Sequence, residues 1–91
     1  MTNQQIILGS LSMDLKRAAL ALHKGSYETG ERFSKEAIKR IDELKIGKLD
    51  AYIQNLILKT QETLAQNNKD QTPDDLLMYS TLIQNIAAPT K

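Results

Sequence analysis

Leu8, Leu11, Leu15, Ala18 and Leu22 follow one another at steps of three and four, and no other feature constrains the fold of this chain as tightly. Steps of that size place side chains on one face of a helix rather than one face of a strand. At about 100° per residue, Ile6, Met13 and Leu20 fall on the opposite side of the same helix. A helix that is apolar on two sides wants two partners, and one of them can belong to a second chain. The row Ile6, Met13, Leu20 is therefore the candidate self-association site. The alternative is a four-helix arrangement that surrounds this helix and buries both sides within one chain.

The remaining residues extend the same pattern. With one Phe, three Tyr, no Trp and no Val among 91 residues, the core must be built from Leu, Ile and Ala. Such a core suits helix packing and argues against strands, which favour β-branched and aromatic side chains. Asn3 is a good N-cap, and the first helix is expected over about 4–24, with Lys24 near the negative end of its dipole. Gly25 can supply a left-handed stop and Ser26 a cap for the next helix. The join is tight, so one long bent helix, giving three helices in all, stays open. The second helix, about 27–45, buries Phe33, Ala37, Ile41 and Leu44, widened by Ile38. Its Glu28–Arg32, Glu31–Lys35 and Glu36–Arg40 spacings each add about 0.2–0.5 kcal/mol where the pair forms. Gly30 marks close contact with the first helix.

Gly47 is the next expected left-handed stop. A third helix over about 50–66 has Leu49, Ile53, Leu56, Thr60 and Leu64 as its inner row, Tyr52 and Ile57 on its flanks, and Leu58 pointing elsewhere. The polar run over 67–71 reads as a loop. Thr72-Pro73-Asp74-Asp75 is the strongest boundary in the chain. Thr72 caps, Pro73 takes the first helical position, and two acids face the positive helix end. The fourth helix, about 73–88, turns Leu76, Tyr79, Ile83 and Ile86 inward and stops before Pro89. No internal repeat is visible. The expected fold is all-α: a single domain over 1–91, folded as a compact antiparallel four-helix bundle.

Charge and composition exclude more than they propose. Twelve basic and eleven acidic side chains leave a net charge of +1, too little for a long-range field that would gather nucleic acid or an acidic membrane. The basic residues of the first half are interspersed with acids and lack aromatics to stack bases, so a nucleic-acid partner is not expected. No cysteine is present, which excludes disulfides and thiolate chemistry and fits a reducing compartment. The N-terminus has no basic start of a secretory signal, and no apolar run approaches the ~20 residues of a membrane span. The cytoplasm is the expected location.

Catalytic constellations are equally sparse. His23 is the single histidine and no Glu stands three residues before it, as bundle metal sites would need. Zinc spacings and a Gly-rich phosphate loop are absent, so neither metal nor cofactor is expected. Asp74-Asp75 reads as charge at a helix N-terminus. Arg17 and His23, with five residues between them, form a spacing similar to the Arg-His motif of the HEPN ribonucleases, themselves helical bundles. That resemblance implies His23 as a catalytic base, Arg17 as a phosphate contact and an RNA-processing role. On a regular helix the two lie about 120° apart, and the residues alone read His23 as a solvent-edge side chain near a helix end. The expected function is accordingly non-enzymatic: a small helical module acting through protein–protein contacts, with a homodimer among them and an unidentified protein as further partner. The HEPN-like bundle is the alternative.

Overall fold

The first helix, α1 (Asn3–His23), ends in a glycine turn that separates it from α2 (Tyr27–Glu43). Gly25 adopts φ +77°, its N–H donates to the Leu22 carbonyl at 3.0 Å, and the Ser26 N–H donates to the Ala21 carbonyl at 2.8 Å. Together these are the two bonds of a Schellman ending, which satisfies carbonyls that the last helical turn leaves over. A left-handed residue ends a right-handed helix, so the fused three-helix alternative is set aside. Ser26 does stand at the N-cap of α2, but its hydroxyl makes no capping bond. Its carbonyl, accepting from Gly30 N–H at 2.9 Å, starts the helical ladder instead.

The next boundary differs from expectation. Gly47 does not take a left-handed conformation; it lies inside a short 3-10 turn, Ile46–Lys48. The turn is closed by Lys48 N–H on the Lys45 carbonyl at 2.9 Å and Leu49 N–H on the Ile46 carbonyl at 3.0 Å. Successive tight turns reverse the chain here, and α2 ends at Glu43, two residues short of the expected Lys45. Asp50 then caps α3 (Ala51–Ala65), its Oδ1 accepting from Ile53 N–H at 3.0 Å. The fourth helix, α4 (Pro73–Ala87), begins on the proline with Asp74 and Asp75 in its first turn. The structure is a computed structural model that describes residues 3–65 and 73–87, and no strand occurs among them. The expected cap at Thr72, the loop over 67–71 and the stop at Pro89 lie outside the described residues.

The four helices form a compact antiparallel bundle around one aliphatic core. At one end of α1, the Gln4 side chain both donates to and accepts from the Lys45 backbone, each bond 3.2 Å long. At the other, His23 Nε2 lies 3.4 Å from Asp74 Oδ1 at the start of α4. α1 thus runs against both α2 and α4, and its contacts with these two are by far the most extensive in the fold. α3 closes the ring more loosely. Leu11, Leu15, Ile41, Ile57, Leu76 and Ile83 are the largest fully buried apolar side chains. Ile57 is therefore central rather than flanking, while Tyr52 on the other flank is exposed and Leu58 points outward as expected.

Small residues explain why α1 lies so close to two neighbours. Ala18 and Ala19 are fully buried on α1, with Ala37 on α2 and Ala87 on α4 also in the core. Gly30 gives α2 the closest approach: a Cβ there would sit 2.8 Å from Leu22 Cδ2 and 3.0 Å from its Cγ. Only glycine leaves the room that this approach needs.

Candidate interaction surface

Ile6, Met13 and Leu20 remain open to solvent at 52%, 53% and 46% of their surface. The four-helix arrangement therefore does not bury the second side of α1. Leu8, Leu11, Leu15, Ala18 and Leu22 are all buried, so the two rows of one helix have opposite fates. At seven-residue spacing the exposed row forms a continuous strip that drifts only ~20° per repeat. Beside it, Gly9 has no atom within 4 Å of where a Cβ would stand, which leaves a notch in the strip between Ile6 and Met13.

Arg17 and Lys24 edge this strip on the side of α2. With Leu20, Ser26, Thr29 and Phe33 they line a shallow groove of about 320 Å³. Arg17 is held there by two neighbours. Its guanidinium carbon lies 5.8 Å from the centre of the Phe33 ring, and its Nη1 lies 3.6 Å from Asp14 Oδ1. Arg32 covers the same ring at 5.0 Å. His23 is engaged on the other flank of α1, with Asp74. The structure thus does not bring Arg17 and His23 together at one point.

Asp14 is the functional-looking side chain that sequence reasoning passed over. It is buried in the α1–α2 seam, where Arg40 Nε lies 3.8 Å from its Oδ2, too long for a hydrogen bond. Arg40 Nη1 instead donates to Glu43 Oε2 at 3.1 Å, leaving its buried Nε without a hydrogen-bond partner. Burial pushes the Asp14 carboxyl above the ordinary value; the guanidinium groups of Arg40 and Arg17 pull it down by less, and Glu36 adds a smaller upward push. The available signal was position: Asp14 stands three residues after Leu11 and four before Ala18, within the buried face. Of the three acid-first pairs expected along α2, Glu31–Lys35 forms at 3.2 Å. Glu36 reaches Lys39 instead, and Arg40 turns to Glu43 and Asp14.

A second apolar depression, of about 340 Å³, lies between α3 and α4. Tyr52 and Met78 rim it, 62% and 48% exposed, above Leu56, Tyr79 and Leu82. Both rim residues sit off the inner rows of their helices, so periodicity alone could not pair them. Among the described residues no group of three or more His, Asp or Glu could hold a metal ion, and no helix is long and apolar enough to cross a membrane. Compared with known protein families, with curated proteins and with solved structures, the chain finds no match.

Proposed function

We propose that this chain is a non-enzymatic cytoplasmic helical module that works through protein contacts, beginning with a second copy of itself. One observation carries the reading. Three large apolar side chains at heptad spacing stay exposed on the helix that is otherwise the best buried in the fold. Exposed apolar side chains scattered singly need no explanation, whereas an aligned strip of them is a contact surface in waiting. The separate engagement of Arg17 and His23 favours this reading over phosphodiester cleavage.

The test compares the two rows. Leu15, fully buried, should cost about 2–5 kcal/mol of stability on replacement by Ala, through lost burial and a cavity. Leu20→Glu should leave helix content and melting nearly unchanged while moving the sedimentation distribution toward monomer. A wild type that stays monomeric at high concentration, or a Leu20→Glu chain that unfolds as a monomer, removes the proposal. A ribonuclease activity lost with both His23 and Arg17 would replace it.

A further inference from the structure

The exposed strip of α1 is symmetric about its middle, and its charge is not. Ile6 and Leu20 stand seven residues to either side of Met13. The charged side chains exposed on α1, Lys16 and Arg17, lie in its C-terminal half and are basic, as is Lys24 immediately after its last residue. In the N-terminal half, exposed Asn3 and half-buried Gln5 and Ser10 are all uncharged, and the single carboxylate of α1, Asp14, is buried. Two copies meeting in parallel would stack like charge on like charge along the contact, which disfavours that arrangement.

We infer that two copies of this chain pair antiparallel along α1, with the two-fold axis at Met13. The inference rests on the self-association proposed above and specifies its geometry. In this pairing Met13 faces its own copy, and Ile6 faces Leu20 of the second copy at both ends. Lys16, seven residues after Gly9 and on the same flank of the strip, then comes opposite Gly9 of the second copy, whose missing side chain leaves the notch that a long side chain needs. Arg17 comes opposite Ser10 on the other flank, and the basic ends of the two helices lie as far apart as the contact allows. Opposed helix dipoles favour the same orientation. An isologous contact of this kind closes after two copies and leaves no free half to propagate. One helix face is smaller than the ~800 Å² per partner of a standard interface, so the dimer is concentration-dependent.

The absence of cysteine from the chain makes the geometry directly readable. Single substitutions Ile6→Cys, Met13→Cys and Leu20→Cys are oxidised under mild conditions and separated by mass without reductant. A disulfide needs Cα atoms within ~7 Å. Antiparallel pairing holds the two copies of residue 13 together and separates the two copies of residue 20 by about 20 Å along the helix. Met13→Cys should therefore cross-link to itself at least several-fold faster than Leu20→Cys does. A mixture of Ile6→Cys and Leu20→Cys should give mixed dimers at a rate that neither variant reaches alone. Self-linking of Leu20→Cys as fast as that of Met13→Cys overturns the orientation. Wild-type dimers in sedimentation whose variants fail to link at Met13 overturn the pairing along α1, as a partner seated on the α3–α4 depression would produce. A wild type that sediments only as monomer removes the underlying self-association, a result distinct from both.

Discussion

The two flanks of α1 are both close-packed, but they solve the same problem with different chemistry. Toward α4 the buried part of the seam is uncharged and satisfied: Ser80 donates its buried hydroxyl to the Ser12 carbonyl at 2.7 Å. Ser12 in turn donates to the Gly9 carbonyl at 2.9 Å, so neither hydroxyl lacks a partner. The flank toward α2 carries a buried carboxylate and an arginine whose Nε has no hydrogen-bond partner. Ser34, on the inner face of α2, likewise keeps a buried hydroxyl without a partner. Close approach of backbones therefore does not itself dictate polar satisfaction. The α4 seam gains stability from its hydrogen bond, while the α2 seam holds together by shape despite its polar groups.

The largest way to break this contrast is to fill the gap on the α2 side. Gly30→Ala adds a Cβ 2.8 Å from Leu22 Cδ2, and Leu22 is itself buried. Overpacking of this sort costs about 1–3 kcal/mol, more than the ~1 kcal/mol that alanine returns in helix propensity. Thermal melting should show a net loss. The same substitution at Gly9, where nothing in the same chain lies within 4 Å, isolates the propensity gain when melted at a dilution that keeps the chain monomeric.

A smaller effect separates the two buried serines. Ser80→Ala removes the donor to Ser12 and should cost about 0.5–1.5 kcal/mol in chemical denaturation. Ser34→Ala removes a hydroxyl that has no partner and should be neutral or stabilising by roughly 0.5 kcal/mol. Equal losses at the two positions would mean that the seams do not differ as described.

The finest distinction is one of pH. Because Asp14 titrates above the ordinary value of 3.8, its neutral form is the one the fold prefers. Its favourable contribution is then complete below that value and is lost as pH rises through the higher folded one. Asp14→Asn mimics the neutral form in size. It should be more stable than wild type at neutral pH, with an advantage that fades as the pH falls toward 3.8. Paired melts of the two proteins across that range check the sign, since the remaining carboxylates are shared.

Most of the architecture was legible because α1 announces its inner row in five residues and because Gly25, Asp50 and Pro73 stand at real boundaries. The outer row was legible as well, and its exposure follows from having neighbours on only two flanks of the helix. Gly47 misled because glycine marks both left-handed stops and simple tight turns, and the two differ only in φ. Asp14 was hidden by its chemistry: a carboxylate reads as solvated until Arg40, twenty-six positions later, is known to lie beside it. The depression between α3 and α4 depends on how two helices rotate about their axes, which residue spacing within either one does not determine.

The pairing of α1 with α4 joins the beginning of the described chain to its end, with Ser12 and Ser80 separated by 68 positions. During synthesis α1 and α2 are able to fold back on each other as soon as the Gly25 turn has emerged, since that hairpin is local. The α4 flank of α1 has to wait. Until Pro73–Ala87 has been made, Ser12 and the buried face around it lack the cover that α4 supplies, and a nascent chain presents adhesive surface on both this flank and the outer strip. The order of the helices thus sets a delay in which this flank of the unfinished bundle is open to aggregation until α4 covers it, while the outer strip stays open in the finished fold.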